Sequence, residues 1–149
     1  MPNWTKNELE VSGKAKEVRR FLKHMGEGFS FERIIPMPEN CFRGLLGTKE
    51  KEECLKKGIP NWYDWCSENW GTKWDCSEVE VEKVGCLETN AEELDAVLDT
   101  SKNYSWVIYK FQTAWDAPHP IIAKLKSDWP DLDFGGGYVH EGYEGCGSF

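Results

Sequence analysis

The stretch "NELEVSG" sets Leu9 and Val11 against Glu8 and Glu10, an alternation that predicts a half-buried strand over residues 3–12 ending at Gly13. The period then changes. In "KAKEVRRFLKHM" the apolar Ala15, Val18, Phe21, Leu22 and Met25 recur at three- and four-residue spacing. Lys16, Arg19, Arg20, Lys23 and His24 face away from them, which makes an amphipathic helix stopped by Gly26 and Gly28. "FSFERIIPMP" predicts a short strand halted by Pro36 and Pro38, and "ENCFRGLLG" a connecting loop. "TKEKEECLKKG" predicts a short exposed helix over 48–57, capped by Thr48 and ended by Gly58, with only Cys54 and Leu55 to bury.

"NWYDWCSENWGTKWD" follows, with Trp62, Trp65, Trp70 and Trp74 in close succession. Asn61 and Asp64 suit a helix start and Gly71 a helix stop. At 100° per residue, Trp65, Asn69, Trp62, Cys66, Trp70 and Tyr63 fall within about 160° of arc. That predicts a helix laid on a sheet, its rings building the core. Trp70 and Trp74, at the edge of the arc and beyond it, are expected to be partly exposed, and Asn69 needs hydrogen-bond partners on that face.

"TKWDCSEVEVEKVG" alternates again and predicts a strand over about 73–84, and "NAEELDAVLD" a short capped helix over about 91–99. "YSWVIYKFQTAW", β-branched and aromatic on both faces, predicts an interior strand over 104–115. Asp116 is the expected cap of a helix carrying Pro118, Pro120, Ile121, Ile122, Leu125 and Trp129. The glycine-rich tail predicts a last strand with a bulge at 135–137 and a short hairpin. Strand, helix, strand, strand, helix, strand is the α+β, ferredoxin-like βαββαβ arrangement, an antiparallel sheet with helices on one face and extra short helices added. A single domain over 1–149 is expected, with insertions at about 36–72 and 85–103.

Composition narrows the function more than the fold. With 40% apolar and 13% aromatic residues the chain has ample surface to bury and is expected to fold without a cofactor. Six cysteines contain no C-x-x-C pair, so neither a zinc site nor an iron–sulfur cluster is expected. The start of the chain carries charges from Lys6 onward and no run approaches twenty uncharged residues, so a cytoplasmic location, free thiols and no membrane partner are expected. The net charge is −8, and residues 1–35 hold seven basic against five acidic side chains, leaving the acidic excess after Ile35. Repulsion from phosphates disfavours general nucleic-acid binding.

The segments "MPNW", "RIIPMP", "NWYDWCSENWGTKWD", "FQTAWDAP" and "YVHEGYEG" resemble, in order and over nearly the whole chain, the YubB-like proteins of phages and conjugative plasmids. The resemblance implies a bacterial, phage or plasmid accessory protein with a ferredoxin-like domain, and it brings no catalytic residues with it. The extra helix within 85–103 and an end soon after "YEGCGSF" depart from that pattern.

Catalytic candidates are few: Asp116 with His119 at a helix start, and His140 beside Glu141 in the last strand. No nucleophile accompanies them in a motif, and neighbours on a strand point to opposite faces. The binding candidates are Asn69, Trp70 and Trp74, together with Arg19, Arg20 and Lys23 on the first helix. On the strands, Glu8, Glu10, Glu78, Glu80 and Glu82 outnumber Lys6 and Lys110, which argues against base stacking on the sheet. The reading that results is a non-enzymatic protein that binds a macromolecule, with a host or phage protein as the expected partner. A small enzyme near Asp116, His119 and His140 is the alternative, and nucleic-acid contact through the first helix the third. Oligomeric state stays open.

Overall fold

The computed structural model describes residues 3–84, 104–142 and 145–149. The helix expected over 91–99 and the insertion at 85–103 lie outside these residues.

Strand β1, Trp4–Lys14, alternates as its sequence demands: Leu9 and Val11 are fully buried, while Lys6, Glu8 and Glu10 are exposed. It runs two residues beyond the expected end, because Gly13 still pairs with Ser105 on one side and Leu132 on the other. Helix α1, Ala15–Met25, buries Ala15, Val18, Phe21 and Met25. Helices α2 and α3, Thr48–Lys57 and Trp62–Asn69, follow before strand β2, Ser77–Val84. Strand β3, Tyr104–Ala114, helix α4, His119–Asp128, and strands β4, Leu132–His140, and β5, Cys146–Ser148, complete the described chain.

Among the described residues the named strands pair antiparallel in the order β2-β3-β1-β4-β5, and an isolated parallel bridge joins Phe42 to Asn61. With α1 and α4 as crossovers, the first four strands make the ferredoxin-like βαββαβ unit, and β5 adds one strand at the β4 edge. β3 lies inside the sheet, as its two-sided apolar character requires.

The core lies between the helices and one face of the sheet. Phe21 meets Tyr109, Trp129 and Phe134 edge-on at centroid separations of 6.1, 5.2 and 5.7 Å, and Phe29 stacks on Phe111 at 4.9 Å. Such offset and edge-on pairs suit the ring quadrupole and add to the burial of area.

Several local expectations are overturned. "FSFERIIPMP" is not a strand: Phe31–Arg33 forms a 3-10 turn. The cause lies 42 residues further along, where the Asp75 carboxylate accepts from Phe31 N at 2.8 Å, Ser30 Oγ at 2.8 Å and Glu32 N at 3.4 Å. An acid that gathers consecutive donors caps a helical turn and withdraws those N–H groups from any sheet. β4 carries no bulge either, since its register with β1 runs unbroken from Leu132 to His140. Its glycines have another purpose. Gly136 has φ +112° and sits against the Glu8 carbonyl so closely that a Cβ would overlap the oxygen. The β2 strand begins at Ser77 rather than 73, and a register shift between Ser77 and Glu80 accompanies Glu78 at φ +49°. Gly47, not Thr48, caps α2, with the Glu50 carboxylate accepting from Gly47 N at 3.0 Å, and Leu55 on that helix is exposed. Asp116 is not the cap of α4, where Pro118 occupies that position. The Asp116 carboxylate instead accepts from Ala117 N at 2.7 Å.

The tryptophan helix differs most. α3 starts as expected, with Asn61 Oδ1 accepting from Asp64 N at 3.0 Å, but within the helix only Cys66 is buried. It does not lie along the sheet. Its C-terminal end inserts instead, so that Trp70 is 3% exposed, edge-on to Phe31 and Trp65, with its indole N–H donating to Ile35 O at 2.9 Å. Trp70 is thus core where partial exposure was expected. Gly71, at φ +75° and against Pro120, makes the reversal that drives this ring inward.

Candidate binding surfaces

Two of the three catalytic candidates, Asp116 and His140, meet at one end of the sheet, around a polar network. Asn7, buried between Phe111 and Tyr138 on β1's neighbours, donates from Nδ2 to Thr5 O at 3.0 Å and Thr113 Oγ1 at 2.9 Å. The Thr113 hydroxyl donates to Asp116 O at 2.7 Å. His140 Nδ1 shares a 2.8 Å hydrogen bond with Thr5 Oγ1, and its Nε2 lies 3.7 Å from the Asp116 carboxylate. The network ties β1, β3, β4 and the turn at 115–118 together. Thr5 is fully buried, so its hydroxyl does not meet a substrate, and His140 is hydrogen-bonded through Nδ1 alone among the described residues. His119 is exposed and belongs to a different set of contacts, edge-on to Tyr138 at 5.2 Å and facing Phe149 at 6.4 Å. These contacts place His119 among aromatic rings, while Asp116 and His140 serve the strand ends.

The sheet face away from the helices is the second surface. Lys6, Glu8 and Glu10 of β1 point to it, with Glu80 and Glu82 of β2 and Trp106, Ile108, Lys110 and Gln112 of β3. Lys110 donates to Glu82 at 3.0 Å and Gln112 to Glu78 at 2.6 Å. The ion pair raises the Lys110 pKa, chiefly through that hydrogen bond. A groove of about 650 Å³ runs across this face between Glu78 and Glu80 on one side and Cys146 and Gly147 on the other, with Lys6, Glu8 and Val139 among its walls.

A third surface draws on five separate segments. Trp4 and Trp74 meet at 6.4 Å, and Lys73 Nζ sits 4.5 Å from the Trp74 ring centre and 5.2 Å from that of Trp115. Tyr63 is edge-on to Trp115 at 5.7 Å and to Trp62 at 5.8 Å, and Lys51 Nζ sits 4.8 Å from the Tyr63 ring. Trp74 is 40% and Trp115 42% exposed. Of these residues only Trp74 stood among the sequence candidates. Trp115 was legible as the apolar end of β3, but its φ of +79°, which turns the ring out of the strand, was not.

The remaining binding candidates are dispersed. Asn69 donates to Trp65 O at 2.9 Å, a bond within its own helix, and Trp70 is core. Arg20 pairs with Glu17 at 3.0 Å and lies 5.2 Å from the Trp129 ring centre, so part of the α1 basic row is committed to its own helix and to α4's end. Lys23 is exposed and Arg19 half-buried on the same helix.

Burial raises the thiols of Cys41, Cys66 and Cys76, that of Cys66 to about 12. Desolvation is the first cause in each, which keeps these groups neutral and unreactive. Cys41, Cys54, Cys66, Cys76 and Cys146 are free thiols. Among the described residues no cluster of three or more metal-ligating side chains occurs, and no helix is long and apolar enough to cross a membrane.

Residues 94–149 match the family described as a ferredoxin-like domain in Api92-like protein. The matched part takes in β3, α4, β4 and β5, the second half of the βαββαβ unit. No curated protein and no solved structure matches the chain.

Proposed function

We propose that this is a non-enzymatic accessory protein of phages or conjugative plasmids, related to the YubB-like proteins. On this reading it acts by seating a basic segment of a host or phage protein on the free face of its sheet. One observation carries the reading. On that face the five carboxylates of Glu8, Glu10, Glu78, Glu80 and Glu82 outnumber the three lysines Lys6, Lys14 and Lys110, the half-exposed Ile108 lies in register between Glu10 and Glu82 with Trp106 next along its strand, and Lys110 is already paired with Glu82. An apolar strip rimmed by one sign of charge suits a partner of the opposite sign, and complementarity of this kind governs both choice of partner and rate of encounter. A cytoplasmic site of action and a role in countering host functions belong to the same proposal, the latter by analogy of context alone.

The test is recovery of the tagged chain from nuclease-treated bacterial lysate, run beside Glu8→Lys/Glu80→Lys and beside His119→Ala. A protein retained by the native chain and by His119→Ala, but released by the charge reversal, supports the reading. Retention that survives charge reversal overturns it. If His119→Ala keeps its fold yet loses the biological effect, the enzyme alternative takes its place, favoured by Tyr138 standing edge-on to both His119 and His140 at 5.2 and 5.3 Å.

A further inference from the structure

The aromatic end of the molecule has a composition that the free sheet face lacks. Its exposed rings, Trp74 and Trp115, and the half-buried Tyr63 are interleaved with ammonium groups that rest on ring faces, and no carboxylate lies within 4 Å of Lys51 or Lys73 among the described residues. The acids nearby keep their charge but are turned to other donors, Glu141 accepting from Trp4 N at 3.2 Å. Glu50 accepts from Gly47 N, Asp64 from the Asn61 amide, Asp75 from Phe31 N and Asp116 from Ala117 N. Next to the rings a cavity of about 690 Å³ opens between Arg43, Leu45, Lys51, Trp62, Tyr63 and Lys73. Apart from the aromatic rings, its polar side chains among the described residues are all cationic, although Arg43 at its rim already lies 3.9 Å from the Glu32 carboxylate and donates to Met37 O at 3.3 Å.

We propose that this end binds single-stranded nucleic acid, stacking bases on Trp115, Trp74 and Tyr63 and drawing the phosphates to Arg43, Lys51 and Lys73. The chemistry of the lining decides the ligand. A neutral sugar needs carboxylates or amides to bond its hydroxyls, and a peptide added as a strand needs a free sheet edge. Among the described residues the edges of this sheet are β2 and β5, whereas Trp115 follows β3 and Trp4 begins β1, both interior strands. An anionic chain that offers one flat ring per unit matches both halves of the lining, because base–aromatic stacking tolerates any sequence and the cations follow the backbone. Duplex fits poorly, since its bases are already stacked. The acidic whole-molecule charge does not decide the matter, as its glutamates are concentrated on the free sheet face and the cations stand here. The site is separate from the one proposed for a protein partner.

The purified chain is titrated with labelled oligo-dT and oligo-rU of about 12 nucleotides, within the range one small domain covers, with tryptophan fluorescence and anisotropy as readouts. Binding at low salt is expected, falling with added salt at a slope of about −0.7 per phosphate contact. Trp115→Gly relieves the backbone at φ +79° while removing the ring, and should lose tenfold or more in affinity, on the order of one stacked base. Lys51→Glu/Lys73→Glu carries the same test without touching the backbone, and Glu8→Lys on the free sheet face is the control expected not to reduce binding. A preference for dT or rU identifies which nucleic acid is meant. No binding at low salt overturns the proposal. So does equal affinity for duplex, unchanged affinity in both the ring and the lysine variants, or displacement by polyglutamate as effective as by oligo-dT, which would make this an acidic-protein site.

Discussion

Two residues in the sheet show how little room the fold leaves at single positions. Gly136 combines φ +112° with direct approach to the Glu8 carbonyl, so Gly136→Ala meets both backbone strain and overlap with an atom that cannot move without breaking the β1–β4 ladder. It is expected to cost about 3 kcal/mol or more, read as a lower urea midpoint at unchanged slope. Tyr109 presents the opposite case. Its ring is 1% exposed and packs on Phe21 and Phe29, but its hydroxyl is buried with no hydrogen-bond partner among the described residues. A desolvated, unpaired hydroxyl costs about 1–3 kcal/mol, so Tyr109→Phe keeps the packing and should raise stability by about 1 kcal/mol in the same denaturation experiment. A decrease would mean that the hydroxyl has a partner after all.

At the scale of elements, the inserted helices are held by contacts distant in sequence. Asp75 fixes the 3-10 turn at Phe31–Arg33, and Phe31 in turn packs on Trp70. Asp75→Ala removes the acceptor for Ser30 Oγ, Phe31 N and Cys76 N, and is expected to cost about 2–3 kcal/mol and to loosen the Trp70 contact. Slower loss of the near-ultraviolet tryptophan signal than of the far-ultraviolet signal on heating would contradict that coupling. The same elements mark the limit of sequence reading. β1, α1, β3 and α4 were legible because each carries a two- or 3.6-residue period over ten residues or so, and the order of these elements gave the ferredoxin-like topology. The 3-10 turn was not, because its capping acid is 42 residues away and local propensity favoured a strand. The role of α3 was half legible: the rings were known to be apolar, but a helix that docks by its end gives the same 160° stripe as one that docks by its face. The aromatic end was illegible for a related reason, since Trp4, Tyr63, Trp74 and Trp115 become neighbours only through the sheet register and the left-handed turn at Trp115.

For the molecule as a whole, the arrangement of buried titratable groups fixes where stability fails. Desolvation raises Cys66 from 9.0 to about 12, and pushes Cys76 and Tyr109 up from 9.0 and 10.0. The native state therefore holds these protons at a pH where the unfolded chain releases them. Below pH 9 both states are protonated and the groups contribute no pH dependence. Above it the unfolded state is progressively favoured, and stability is lost as pH rises through the window from 9 to 12. Each group contributes a slope of at most about 1.4 kcal/mol per pH unit, so three together permit about 4 kcal/mol per unit near the top of the window. Urea midpoints measured from pH 8 to pH 11 should hold steady at first and then fall with growing steepness. Cys66→Ala/Cys76→Ala should flatten that fall whatever it does to the stability at pH 8, because the slope reports proton release and not packing. A fall as steep in the double variant as in the native chain would assign the alkaline loss to the groups it leaves in place, Tyr109 in the core and Lys110, whose pairing with Glu82 raises its pKa on the free face of the sheet.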